Sequence, residues 1–184
     1  MKHAAIFNTL MIATTLLSST HALAEKSARP TTTTSSSGSV QSLSKPVFVQ
    51  NIAPEAADAV KVVDAFSAAI KAVKLPEAET LLDPKVLILE SGSSERSREE
   101  YMAGHAGADA TFMLTVHQQL RYRQAQVEGN MAWVATESEL HTQKDGKPVT
   151  ILSTETMVLK RTGKTWKITH IHWSSHTKKP ETSK

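Results

Sequence analysis

Cysteine is absent from all 184 residues. That excludes disulfides, thiolate nucleophiles, thiolate metal sites and a lipid anchor carried on cysteine. Aromatic residues make up only 5% of the chain, and no basic stretch is interleaved with them, so nucleic acid is not an expected partner. The formal charge of +3 reflects a slight basic excess rather than a basic stripe, and Lys2 supplies one of those charges. No apolar run reaches the ~20 residues a spanning helix needs, so no stable membrane insertion is expected after the leader is removed.

The first residues carry an export pattern. Met1-Lys2-His3 is a short positive region, Ala4 to Leu17 is largely apolar, and Ser18 to Ala24 is small and polar. The segment ends in Ala22-Leu23-Ala24, an A-x-A cleavage site, so residues 1–24 read as a signal peptide. The mature chain is expected to begin at Glu25 and to work in the periplasm or as a secreted protein. Residues 25–45 are dominated by Thr and Ser, with Thr31 to Ser37 unbroken hydroxyl residues. Such a composition buries too little apolar surface to offset ordering entropy and reads as a disordered linker. A single domain is expected over 46–176, followed by a polar tail over 177–184.

Within the domain, helices come first. Val60, Val63, Phe66, Ile70 and Val73 recur at spacings of three and four, which predicts an amphipathic helix after Pro54-Glu55. Leu75-Pro76 stops it and starts a short second helix that Asp83-Pro84 ends. Val86 to Leu89 reads as a buried strand, and Ser91 to Ser94 as a loop. Ser97 and Glu100 fit a capping box for a third helix, with Glu100 reaching back to the cap amide, and Tyr101, Met102, His105 and Ala108 share one of its sides.

The second half switches to a period of two. Leu114, Val116, Leu120 and Tyr122 alternate with polar residues. Gly129-Asn130, Asp145-Gly146 and the turn around Gly163 separate strands over 131–142, 149–159 and 166–175. Helices segregated ahead of a meander argue an α+β fold, with helices packed on one face of a curved antiparallel sheet.

That order of elements resembles the nuclear transport factor 2-like, or SnoaL-like, superfamily. The closing segment is the most specific part: Trp166-Lys167-Ile168-Thr169-His170-Ile171-His172-Trp173-Ser174 after the basic turn Lys160 to Lys164. It is similar to the last hairpin of the bacterial branch related to the association domain of calcium/calmodulin-dependent protein kinase II. The resemblance implies a cystatin-like, SnoaL-like α+β barrel, in which a cone-shaped curved sheet wraps around the N-terminal helices. It also implies a pocket and a homodimer. It names no reaction, because the superfamily holds isomerases, hydratases, hydrolases, cyclases and non-catalytic members. Met157 stands where the association domain has a pocket arginine, and the Asp-Arg-Asp set of the epoxide hydrolases is missing.

Strict alternation along the last strand puts Trp166, Ile168, His170, His172, Ser174 and His176 on one face. With His105, Tyr101 and Glu155, these make the candidate polar lining of a pocket for a small, largely apolar ligand. The histidines read equally as core residues satisfied by Glu137, Glu139, Glu155 or backbone groups. No cofactor is implied and no catalytic set is legible, so binding without catalysis is the favoured reading. Two alternatives stay open: an isomerase or hydrolase using a pocket His or carboxylate, and copper or zinc binding by His170, His172 and His176. Strand 131–142 is ambiguous. Its odd face would make Trp133 the pocket floor, whereas an inward even face would put Trp133 with Trp173 on a dimer surface. Arg121, Arg123, Gln119 and Gln124 read as a solvated strand face or an interface rim.

Overall fold

The computed structural model describes residues 48–179; the signal peptide, the whole of the linker and most of the tail lie outside them. The chain enters as β1 (Val49–Ile52) and a 3-10 turn (Pro54–Ala56), then forms α1 (Ala57–Lys71) and α2 (Leu75–Leu81). β2 (Leu82–Glu90), β3 (Ser93–Glu95), α3 (Arg98–Ala103) and α4 (Ala106–Leu114) follow. Four long strands close the fold: β4 (His117–Glu128), β5 (Met131–Lys144), β6 (Lys147–Thr162) and β7 (Thr165–Thr177). One seven-stranded sheet, in the order β1-β4-β5-β6-β7-β2-β3, is left open between its two ends. The fold is α+β, as the order of elements predicts. β4 to β7 form the antiparallel meander, and each side of it gains a parallel neighbour: β1 beside β4, and β2 beside β7.

Local chemistry explains most boundaries. Ala59, Val60, Val63, Phe66, Ala69 and Ile70 form the buried stripe of α1. Val73 does not join it. It is 48% exposed and takes a left-handed conformation, φ 58°, just beyond the helix. Lys74 N–H donates to the Ala69 carbonyl at 2.8 Å and Val73 N–H to the Ile70 carbonyl at 3.0 Å, the pairing that closes a helix C-terminus. Ser97 Oγ accepts from Glu100 N–H at 3.0 Å and caps α3, while Glu100 Oε2 accepts from Arg96 N–H at 2.7 Å rather than from the cap amide itself. The third helix breaks at Gly104-His105 into α3 and α4, and Leu114 ends α4 instead of opening a strand. Asp83 Oδ1 accepts from Lys85 N–H at 2.8 Å, a turn inside β2 that coincides with its irregular pairing to β7.

The inner face of the sheet meets the helices in one core. Val63, Phe66, Leu82, Ile88, Tyr101, Met157, Leu159, Ile168 and Ile171 are essentially fully buried there. Each such side chain stabilises the fold by about 1.5–3 kcal/mol through burial.

Two bulges set what that inner face presents. In β7, Leu159 pairs with Ile168 but Val158 pairs with His170, which leaves Thr169 without a partner. An extra residue in a ladder reverses the alternation beyond it. Trp166 and Ile168 point inward, as expected, but past the bulge Ile171, Trp173 and Ser175 take the inner face. The expected inward placement of His170, His172, Ser174 and His176 is thereby corrected. In β4, Leu120 pairs with Ser138 and Tyr122 with Glu137, so Arg121 is the unpartnered residue. Tyr122 turns outward and Arg123 turns into the core, where it is only 6% exposed. The reading of Arg123 as part of a solvated face is corrected by the same device.

Candidate functional site

Helices α1, α3 and α4 leave a cavity of ≈ 160 Å³ against the inner face of β2 and β4 to β7. Its walls are built in rows, because residues directly opposite in a sheet share a face. One row runs across five strands: Arg123, Thr136, Glu155, Trp173 and Glu90 are successive register partners. All but Arg123 line the cavity. The next row contributes Ser138, Ser153 and Ser175, with Gln118 Nε2 donating to Ser138 Oγ at 3.2 Å. Leu140 and Ile151 follow. From the helices come Phe66, Ser67 and Ile70 of α1, Tyr101 of α3, and Asp109, Phe112 and Met113 of α4.

Two hydrogen-bonded pairs give the cavity its chemistry. Trp173 Nε1–H donates to Glu155 Oε2 at 2.8 Å. Burial pushes the Glu155 carboxyl above the usual range, against the Trp173 hydrogen bond and the Arg123 charge, which both favour the carboxylate. Tyr101 Oη donates to Asp109 Oδ2 at 2.9 Å. Asp109 is likewise raised by burial, although the Tyr101 hydrogen bond and His105 pull it back. Glu90 is raised by burial and by repulsion from Asp109. Burial also raises the Tyr101 phenol, which therefore stays protonated as a donor. Its ring lies 6.5 Å from Phe66 and 6.2 Å from Trp173, a run of aromatic contacts along the cavity floor.

Arg123 acts from behind this wall. Nη1 donates to Asp64 Oδ1 at 2.6 Å and Nε to Thr136 Oγ1 at 3.3 Å. At the other end, His105 Nδ1 meets Glu95 Oε1, joining an exposed imidazole to a buried carboxylate.

Of the residues expected from the sequence, Tyr101 and Glu155 line the cavity. His105 lies outside the lining, with its side chain 55% exposed and paired to Glu95. Trp133 is on the outer face of β5, paired with Gln126 and Val158, because the even residues Ala132, Val134, Thr136, Ser138 and Leu140 point inward. Trp173 does not accompany it outward. His170 is also on the outer face, with Nδ1 donating to the Leu87 carbonyl at 2.8 Å, and His172 and Ser174 are exposed there. Among the described residues no group of three or more His, Cys, Asp or Glu is arranged to hold a metal, so His170, His172 and His176 do not converge.

Asp109, Glu90, Trp173 and the serine row escaped the sequence reading. For Asp109 a signal existed, as the one acidic residue in the otherwise uncharged stretch Ala106–Leu114. For Trp173 there was none, because nothing local announces the bulge at Thr169.

A family model described as "SnoaL-like domain" matches residues 60–178. The chain belongs to this SnoaL-like family. Among solved structures, a protein from Shewanella frigidimarina, whose proposed assignment is ketosteroid isomerase, shares 29% identity at a TM-score of 0.63, covering 67% of this chain and 99% of its own. The association domain of calcium/calmodulin-dependent protein kinase II from C. elegans shares 19% identity at 0.53, over 65% and 95%. An NTF2-like protein with a cystatin-like fold from Novosphingobium aromaticivorans shares 14% at 0.54, over 64% and 79%. No curated protein matches the chain in sequence. The SnoaL-like and NTF2-like relatives agree with the resemblance carried by the closing hairpin.

Proposed function

We propose that this SnoaL-like domain binds a small, largely apolar molecule in the cavity between its helices and its sheet. The observation that carries this is the cavity itself: rings of Phe66, Tyr101, Phe112 and Trp173 form apolar walls, while a few convergent polar groups could orient a ligand. A space of about this size accommodates one benzene-sized molecule. The test is a titration with benzyl alcohol and with indole, followed by ¹H–¹⁵N spectra of the Trp173 indole. Saturable shifts at Trp173 that disappear in the cavity-filling variant Ser153→Phe are expected. No shift with either probe, or shifts that survive Ser153→Phe, would remove the reading.

A second reading is acid–base catalysis of the isomerase or hydrolase kind. It is favoured by Asp109 and Glu155, two carboxyls lining one cavity, each held by a hydrogen-bond donor and raised above the usual carboxyl range by burial. The neighbour proposed as a ketosteroid isomerase is consistent with it. Loss of turnover in Glu155→Gln, with retained probe binding, would separate catalysis from binding.

Two further parts of the proposal concern where and as what the domain works. The leader pattern over 1–24 supports export, and N-terminal sequencing of the processed chain should begin at Glu25. The half-buried outer face around Trp133 and Val158, together with the association-domain neighbour, supports a homodimer. Sedimentation of the 25–184 chain should give twice its mass, and Trp133→Glu should return it to one.

A further inference from the structure

The cavity's charge is one-sided, and this bears on the class of ligand it accepts. Glu90, Asp109 and Glu155 all line it, and no Lys, Arg or His does. None of the three forms an ion pair with a basic side chain among the described residues. The nearest guanidinium, Arg123, is engaged by Asp64 at 2.6 Å and lies behind Thr136 rather than in the wall. Glu155 and Asp109 each offer one carboxylate oxygen to a neutral donor, Trp173 or Tyr101, which leaves a second oxygen on each for a ligand. Independently of these acids, four aromatic residues stand in the same wall. The rings of Tyr101 and Trp173 stand 6.2 Å apart beside Phe66 and Phe112. Aromatic faces carry negative potential and attract a cation, most strongly where water is excluded. Acidic oxygens and ring faces around one small space therefore favour the same charge.

Resting on the cavity reading above, we infer that the ligand of this site is a cationic amphiphile, a protonated amine or quaternary ammonium on a small apolar body. A neutral isostere forfeits the ion–carboxylate attraction, and an anion finds three carboxyl groups and no basic side chain in the wall. Binding of a cation keeps Glu90, Asp109 and Glu155 ionised, so amine affinity falls as acid protonates them. The other groups facing these carboxyls are Tyr101 and Trp173, which stay neutral, Glu95 with His105, and Arg123 with Asp64.

The experiment is a matched series at pH 7: benzylamine, benzyl alcohol and benzoate, with affinities read from the Trp173 indole shift. The ammonium is expected to bind at least ~10-fold more tightly than the alcohol, with no saturable benzoate binding. That ratio should shrink in Glu155→Gln and in Asp109→Asn, each checked for folding by circular dichroism, and in the unaltered chain at pH 5. If the alcohol binds as tightly as the amine, or benzoate binds better, the charge assignment is wrong while the cavity reading stands. If none of the three binds, both fall together.

Discussion

Trp173 donates its indole N–H to Glu155 Oε2 at 2.8 Å across neighbouring strands, and the pair forms part of the cavity wall. A neutral donor on a buried carboxylate offsets only part of its desolvation, so the proton on Glu155 is held more tightly in the folded chain than in the unfolded one. The indole is thus a built-in reporter of that proton.

With 5-fluorotryptophan incorporated, the ¹⁹F resonance of Trp173 should titrate at a pH above the ordinary glutamate range. Glu155→Gln should abolish that titration and leave the resonances of Trp133 and Trp166 unmoved. Arg123→Met removes a charge that favours the carboxylate, so the Trp173 midpoint should shift further upward. A titration at the ordinary glutamate value would contradict the burial of this carboxyl.

Stability should depend on pH in a direction fixed by the same carboxyls. Glu90, Asp109 and Glu155 are all raised in the folded state, so between the ordinary carboxyl range and their raised values the folded chain binds more protons than the unfolded one. Their contribution to stability is complete below the ordinary range and is lost as pH rises through the raised values. Urea unfolding across pH 4 to 7.5 should show this loss, and Glu155→Gln should flatten the slope.

Tyr101→Phe removes the donor to Asp109 while keeping the ring. The loss should be on the order of 1–2 kcal/mol at neutral pH, since the bond is made to a charged acceptor in a partly buried setting. The same variant should raise the Asp109 carboxyl further, because that hydrogen bond favours its ionised form. Carboxyl-detected ¹³C spectra would follow both effects.

The bulge at Thr169 gives opposite outcomes at adjacent positions. Ile171→Ala, on the inner face and fully buried, should cost about 2–5 kcal/mol. His172→Ala, one residue on and exposed, should stay within about 0.5 kcal/mol. Equal costs would mean that the strand keeps strict alternation to its end.

Val73 occupies a left-handed position, φ 58°, where a β-branched side chain is unfavourable and glycine is not. Val73→Gly should therefore stabilise the chain by about 1 kcal/mol, because its side chain is half exposed and little packing is lost. Thermal unfolding of the two chains checks it.

Much of the fold was legible because it follows from local periodicity. The three-and-four spacing from Val60 to Ile70, the Ser97 cap, and the Asp145-Gly146 turn act within a few residues of themselves, so each can be read where it stands. The closing hairpin was specific enough to point to the family. β1 was not legible, since Val49–Ile52 owes its strand character to pairing with Tyr122–Ala125, far along the chain.

The candidate site divides along the same line. Sequence alone determined that Tyr101 and Glu155 fall on elements able to reach a pocket, and that no thiol chemistry is available. Only the tertiary structure decided which half of each strand faces it. A period of two carries a face assignment along a strand only while every residue has a partner. The unpaired Thr169 and Arg121 each reverse it, sending His170 and His172 outward and bringing Trp173 and Arg123 in. Those bulges answer to the register of neighbouring strands, a relationship between distant segments that no local pattern records.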